Sequence, residues 1–338
     1  MKCLVTGGAG FIGAHTIIAL MGRGIQPVVV DNFCNASLKN IKAVEAITGK
    51  KIAYYRLDVR DEDLRAIFKK EAFDAVIHFA ALKSVPDSIK QPIEYYDNNV
   101  HGLINILKVM DAFEVRKLVF SSSAAVYGSD TLSPITEESV LAPKTPYGRT
   151  KLIGEDICRN VVASSNTWNV ICLRYFNPVG AHESGLLGDD PESTATNLFP
   201  VIGDVATKKR DVVEVFGTDY ATRDGSAVRD YIHVMDLAEG HLAALNCIAR
   251  GNACGDKFQV INLGTGRGSS VFEIISLYKK ISNEDIKVVE SPRRDGDLTE
   301  VFADTTKAMT VLNWSAKRGL EKMVMDEWNF RSSPGRGE

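Results

Sequence analysis

The sequence has little that points toward metal, membrane or nucleic acid. Its six histidines form no H-E-x-x-H pair or other clustered ligand spacing, which argues against a metal site. The six cysteines (Cys3, Cys34, Cys158, Cys172, Cys247 and Cys254) include no C-x-x-C pair, and several stand in apolar runs. Buried free thiols in a reducing compartment are therefore expected. Neither sign of charge is in excess: 40 Lys and Arg against 43 Asp and Glu leave a formal −3, mixed along the chain. That excludes a basic nucleic-acid stripe and an acidic disordered tail. No apolar run approaches the roughly 18 residues of a membrane span, and "KCLVTGG" begins a strand at once, where a signal peptide would begin otherwise. A soluble cytoplasmic protein is expected. Internal repeats and low-complexity segments are also missing.

What the chain does have is 338 residues with 45% hydrophobic content, ample for one large domain or two intimately joined ones. The first half alternates short apolar runs with helical patterns. "KCLVTG", "QPVVVD", "KIAYYRLDV", "FDAVIHFAA", "RKLVFSSSA" and "WNVICLRYFN" read as strands. "FIGAHTIIALMGRG" and "NNVHGLINILKVMDAF" read as helices, the latter with Leu103, Ile106, Leu107 and Met110 at helical spacing. Uniformly apolar strands joined through helices imply a doubly wound parallel α/β sheet covered on both faces. After about residue 178 the pattern loosens into "GAHESGLLGDDPESTATN", then mixes helix-like and strand-like stretches such as "FQVINLGTG". The expected division is 1–178 for the sheet domain and 179–338 for a smaller, partly interleaved substrate region whose strands partly return to the sheet.

The stretch "VTGGAGFIG", residues 5–13, joins the first strand to the first helix. It contains G-x-x-G-x-x-G through Gly7, Gly10 and Gly13, and G-x-G-x-x-G through Gly8, Gly10 and Gly13. Such a turn lets backbone approach a pyrophosphate, with helix N–H groups aimed at it. Asp31 ends the second strand, 18 residues after Gly13, where an acid binds both ribose hydroxyls and repels a 2′-phosphate. Asn32 and Phe33 follow rather than an arginine, which favours NAD over NADP. Asp58, ending "YYRLD", reads equally as an adenine contact or as a solvated strand-end acid.

A nucleotide at the C-terminal edge of the sheet gives meaning to two later stretches. Ser121, Ser122 and Ser123 end one strand, and "PYGRTK" places Tyr147 and Lys151 four apart at a helix start. Serine followed by Tyr-x-x-x-Lys resembles the short-chain dehydrogenase/reductase superfamily, and "TGGAGFIG" resembles the glycine motif of its extended branch. The closer resemblance is to the UDP-glucose (galactose) 4-epimerase family. It is carried by "VIHFAALKSV", "LVFSSSAAVYG", "PYGRTK", "LRYFNPVGAH", "VRDYIHVMDLAEGH", "INLGTG" and "RRDGD", in the family's order over nearly the whole chain.

The resemblance implies an NAD-dependent inversion at carbon 4 of a UDP-hexose, by hydride removal and its return to the other face. It assigns Ser123, Tyr147 and Lys151 to catalysis. Phe11, Ile12, Asn32, Val59, Phe79, Ala80, Ala81, Lys83, Asn98, Ser121 and Tyr175 join Gly7, Gly10, Gly13, Asp31 and Asp58 as implied cofactor contacts. Lys83, Ser123, Phe176, Asn177, Asn197, Leu198, Phe216, Arg229, Arg294 and Asp297 are implied UDP-sugar contacts. Val301, four past Asp297, matches the position whose bulk gates an N-acetyl group at carbon 2. A homodimer through the helices at 98–113 and 147–162 is also implied. A tyrosine with a pKa near ~10 needs help to act as a base; a lysine charge about 4 Å away supplies roughly 4 kcal/mol, or ~3 pKa units. On that arithmetic Tyr147 is expected near working pH.

Three positions depart from the family's pattern: Pro86 and Asp87 replace the usual Gly-Glu, and Ala125 replaces a usual Thr. Two other readings share the fold. A nucleotide-sugar 4,6-dehydratase needs an Asp-Glu pair after its serine or threonine, where this chain has Ala124 and Ala125. A non-catalytic NAD-sensing regulator typically loses the tyrosine or lysine, and this chain keeps both.

Overall fold

The computed structural model describes residues 1–128, 131–190, 197–250, 255–294 and 296–333. Strands β1 (Lys2–Thr6), β2 (Gln26–Asp31) and β3 (Ala53–Arg56) alternate with helices α1 (Phe11–Met21), α2 (Leu38–Thr48) and α3 (Leu64–Glu71). Next come β4 (Ala75–His78), the short helices α4 (Val85–Lys90) and α5 (Pro92–Tyr96), and α6 (Gly102–Ala112), which is entered through a π-helical turn at Asp97–His101. Then follow β5 (Lys117–Ser123), a 3₁₀ turn at Ala124–Val126, α7 (Pro146–Ser164) and β6 (Asn169–Tyr175).

The remainder holds β7 (Asn177–Val179), α8 (Leu198–Ala206), β8 (Val213–Phe216), β9 (Val228–Arg229), β10 (Tyr231–His233) and α9 (Val234–Ala249). It continues through β11 (Phe258–Leu263), β12 (Ser269–Ser270), α10 (Val271–Ser282), β13 (Val288–Ser291) and β14 (Glu300–Val301). Helices α11 (Thr306–Leu312) and α12 (Leu320–Ser332) close the chain.

Seven strands form one parallel sheet in the order β11-β6-β5-β4-β1-β2-β3. The apolar runs are continuous because both faces are covered. Cys3 and Val5 of β1 join Ile77, Val119 and Ile171 in one core beneath α1 and α9, while Leu4 joins Val28, Val76 and Leu118 beneath α3 and α6. The chain leaves β1 toward β2 on one side and later returns to β4 on the other. That reversal opens a crevice at the strands' C-terminal ends, where ligands bind in doubly wound sheets.

Beside this sheet, α8, α10 and α12 share a separate core with β8, including Phe199, Val215, Tyr278 and Val324. β13 pairs with β8, and β12-β9-β14 form a small sheet of their own. β11, late in the chain, joins the main sheet against β6. Among the described residues, no helix is long and apolar enough to cross a membrane.

Free thiols are found at Cys3, Cys158 and Cys172, all buried. Two cysteines depart from expectation. Cys34 is free but exposed, because it sits in the open loop after β2, and Cys247 is disulfide-bonded. Cys254 lies outside the described residues.

Candidate active site

The turn after β1 is built from its glycines. Gly7 has φ +68°, and a Cβ there would lie 2.6 Å from the Ala80 nitrogen, so the turn packs directly on the end of β4. Gly7 N–H donates to the Val30 carbonyl at 2.8 Å, and Gly10 N–H donates to the Gly7 carbonyl at 3.1 Å. Gly10 caps α1 without any side-chain bond, and the helix has no acid in its first turn. The first N–H groups and the positive end of the helix dipole are thus left for an anion. A Cβ on Gly13 would lie 2.4 Å from the Gly7 carbonyl oxygen.

A cleft of about 960 Å³, including the part open to solvent, runs from this turn along the sheet edge. Of the residues singled out in the sequence, Gly7, Gly10, Phe11, Ile12, Gly13, Asp31, Asn32, Val59, Phe79, Ala80, Ala81, Lys83, Asn98, Ser121, Tyr147, Lys151 and Tyr175 line it. Asp31 is buried; its carboxylate accepts from Ala9 N–H at 3.0 Å and Phe33 N–H at 2.8 Å. One lone pair on each oxygen remains for hydroxyls, and burial pushes the carboxyl above its usual range.

Asp58 is not among the lining residues. Its carboxylate accepts from Asn32 Nδ2 at 2.8 Å and from Arg60 Nε at 2.9 Å, and the Arg60 guanidinium holds it down at about 2. Cys34, Asn35, Ala36, Leu57 and Leu82 line the cleft without having been anticipated. The polar loop after Asp31 was the only signal for the first three, and it carries no motif. The Leu82 backbone is fixed by Asn99, whose Oδ1 accepts from Leu82 N–H at 2.8 Å and whose Nδ2 donates to Thr150 at 3.0 Å.

At the far end, α7 presents Tyr147 and Lys151. The helix starts where Thr145 accepts from Gly148 N–H at 3.2 Å, with Pro146 in the first turn. It is pressed onto the strand below, since a Cβ on Gly148 would lie 2.3 Å from the Ala125 carbonyl oxygen and one on Gly154 would lie 2.6 Å from the Phe120 ring. Ser123, at the end of β5, acts on the Tyr147 hydroxyl, and its Oγ accepts from Ala125 N–H at 3.1 Å. Ser121 is bonded to the Tyr175 hydroxyl. Lys151 is buried; its ammonium donates to the Ser121 carbonyl at 2.8 Å and stands 5.8 Å from the centre of the Tyr147 ring.

This geometry corrects the expected electrostatics of the pair. Burial pushes the Tyr147 hydroxyl above its ordinary value, and the Ser123 hydroxyl opposes that shift. Burial also brings Lys151 down to about 7. A site shielded from water penalises phenolate and ammonium alike, and the lysine charge points at a carbonyl rather than at the phenol.

Of the remaining anticipated residues, Arg229 and Val301 lie on β9 and β14. Arg229 pairs with Val301 in register, donates to the Leu298 carbonyl at 2.7 Å, and stands 3.6 Å from the Asp297 carboxylate. The Arg294 guanidinium lies 3.6 Å over the Phe216 ring. Val301 is half-buried against a cluster containing Phe176, Leu152 and Tyr127, which links this group to α7. Asn177 begins β7 and faces solvent, while Asn197 caps α8 ahead of Leu198. At the departures from the family pattern, Pro86 sits in the first turn of α4 and Asp87 N–H donates to Ser84, so that loop closes as a capped helix.

A family model described as GDP-mannose 4,6 dehydratase matches residues 4–327. A UDP-glucose 4-epimerase 2 of Oryza sativa subsp. japonica is 49% identical over 333 residues, spanning 97% of this chain and 81% of that protein. The chain belongs to the UDP-glucose 4-epimerase family. An Arabidopsis thaliana member is 48% identical, covering 98% of this chain and 95% of its own. Among solved members, the epimerase of Stenotrophomonas maltophila, with bound NAD and formylated UDP-arabinopyranose, superposes with TM-score 0.96 at 41% identity over the full length of both chains. That of Bifidobacterium longum, in complex with NAD+ and UDP, gives 0.93 at 45% identity, again over both full chains.

Proposed function

We propose that this chain interconverts UDP-galactose and UDP-glucose. The observation that carries the reading is the placing of Tyr147 and Lys151 together, the lysine nitrogen 5.8 Å from the tyrosine ring, at the end of a cleft that begins in a glycine turn. The cleft fits NAD: the uncapped helix start suits a pyrophosphate, and Asp31 offers acceptors for ribose. Gly7, Gly10, Phe11, Ile12 and Gly13 would hold the diphosphate end, and Phe79, Lys83, Ser121 and Tyr175 the other. When bound, NAD supplies a hydride acceptor and donor at carbon 4.

Tyr147 takes the proton of the 4-hydroxyl and returns it after the 4-keto sugar has turned over. Ser123 holds the reacting oxygen. Lys151, with its value near neutrality, contributes the positive charge that stabilises a phenolate whenever it is protonated. Arg229 and Arg294 suit the two charges of a UDP-sugar diphosphate, and Phe216 offers a flat apolar face. Residues 1–178 would then bind NAD and 179–338 the UDP-sugar.

A 4,6-dehydratase is disfavoured because Ser123 is followed by Ala124 and Ala125, which carry no carboxylate for removing water. The test is incubation with UDP-galactose and no added reductant. Formation of UDP-glucose without steady NADH release supports the reading; steady NADH release, or a dehydrated product, overturns it.

The assembly proposed is a homodimer formed through the helices at 98–113 and 147–162. Ile89 and Ile93 on the adjoining α4 and α5 are 63% and 84% exposed, as an interface margin would require. A cytoplasmic location belongs to the same proposal, supported by the free thiols of Cys3, Cys34, Cys158 and Cys172 and opposed by the disulfide-bonded Cys247.

A further inference from the structure

Glu155 lies on α7 one turn beyond Lys151, so Tyr147, Lys151 and Glu155 follow at four-residue steps along one helical face. Its fully buried carboxylate accepts from the Ser122 hydroxyl at 2.5 Å and from Nε and Nη2 of Arg174 at 2.8 and 2.6 Å. Arg174 is only 1% exposed, and its Nη1 donates to the Tyr127 hydroxyl at 3.0 Å and the Glu137 carbonyl at 3.1 Å. Ser122 and Arg174 face each other across β5 and β6. Ser122 stands between Ser121 and Ser123, and Arg174 immediately precedes Tyr175. Glu155, Ser122 and Arg174 are thus each one position, or one helical turn, from a residue of the reacting group.

As simple glue the arrangement is poorly chosen, because desolvation cancels most of the attraction in a buried ion pair. As a register device it is well suited, since a displaced α7 would leave two charges buried without partners. We propose that Glu155 is a positioning residue, clamped by Ser122 and Arg174, that sets the height and rotation of α7 over β5 and β6. Tyr147 is thereby brought to Ser123 and Lys151 to the Ser121 carbonyl.

The Glu155 charge also favours the protonated form of Lys151. The other titratable groups around it are Tyr147 on the same helix, His78 on β4, Tyr175 and Arg174 on β6, Lys83 in the cleft wall, and Tyr95 on α5 beside Tyr147. The tyrosines and His78 are neutral at pH 7 and the other two are cations, so Glu155 is the one anion among them. This inference rests on the roles given above to Tyr147 and Lys151.

The test pairs Glu155→Leu/Arg174→Met, which removes both charges at similar volume, with Ser122→Ala, which leaves the ion pair intact. Thermal unfolding, kcat and KM for UDP-galactose are measured, and NMR of labelled lysine follows the Lys151 proton without substrate. The double variant should fold, since apolar replacement of a buried pair is often neutral. Its kcat should fall by about tenfold or more with KM within roughly twofold, the pattern of a lost transition-state arrangement. Its Lys151 titration should move to lower pH. Ser122→Ala should lose about threefold in kcat at an unchanged unfolding temperature. A folded double variant with parental kcat and parental Lys151 titration overturns the proposal. Should the double variant fail to fold, Ser122→Ala with parental kcat overturns it. If the parent protein shows no epimerisation, the functional reading fails, and the Lys151 titration still judges the role of Glu155.

Discussion

Replacing Gly13 by alanine tests whether the glycine turn is a packing device and a ligand cradle at once. The new Cβ would lie 2.4 Å from the Gly7 carbonyl oxygen and 2.8 Å from the Gly8 Cα, both backbone atoms that cannot rotate aside. Ordinary contact begins at 3.4 Å, so α1 and the turn must part by about an ångström. Overpacking of this kind costs about 1–3 kcal/mol. At ~2.1 cal/mol/K per residue, unfolding a chain of this size carries an entropy of about 0.7 kcal/mol/K, so Tm should fall by roughly 1.5–4 °C. The larger effect should be on NAD. At a hundred times its Kd, NAD stabilises the parent by about 2.7 kcal/mol, or roughly 4 °C. If the opened turn weakens binding about a hundredfold, the same concentration gives ~0.4 kcal/mol, less than about 1 °C. Thermal unfolding with and without NAD reads both numbers. A Gly13→Ala protein with the parental Tm and the parental NAD shift would refute the reasoning, because the clash would then be relieved without moving the turn.

Tyr147→Phe should lower kcat by about 10²–10⁴ while UDP binding by calorimetry stays near parental, since one hydroxyl is lost. Lys151→Met should slow turnover and move the rise of the pH–activity profile to higher pH, because the charge favouring phenolate is gone; an unmoved profile would deny Lys151 that role. Val301→Tyr should abolish turnover of UDP-N-acetylglucosamine and UDP-N-acetylgalactosamine, both expected substrates of the parent, and spare the unacetylated pair. Ile93→Lys should halve the mass seen by sedimentation if α5 borders the dimer interface. His15 and His78 are buried with values lowered to about 3, and His241 to about 4. The unfolded chain binds their protons below about 6.5, so stability should fall as pH drops from there toward 4, by about 2 kcal/mol per histidine at pH 5. Urea unfolding at pH 7.5 and pH 5 measures it.

Much of this molecule follows from local patterning. Continuous apolar runs such as "CLV" and "AVI" can be satisfied only by a sheet covered on both faces, which is why Cys3 and Leu4 enter different cores. The glycine spacing, Asp31 at a strand end and the four-residue step from Tyr147 to Lys151 are likewise local, because turns, caps and helical faces depend on near neighbours. Tertiary structure decided the rest. Arg229 meets Val301 only because β9 pairs with β14, and Arg294 meets Phe216 only because the chain folds back over that ring. The late strand β11 completes the first sheet for a similar reason: strand pairing has no fixed sequence separation.

Neither could the burial of Lys151 and the partial burial of Tyr147 be read from their spacing. An i, i+4 step says which residues share a face, and the packing of α7 on β5 says how much water that face keeps. That is why the lysine is pulled toward neutrality and the phenol pushed upward, against the simple charge-pair estimate. Glu155 and Arg174, 19 residues apart on a helix and a strand, look like two ordinary surface charges in the sequence. Folding removes both from water, and only in that setting does each need the other.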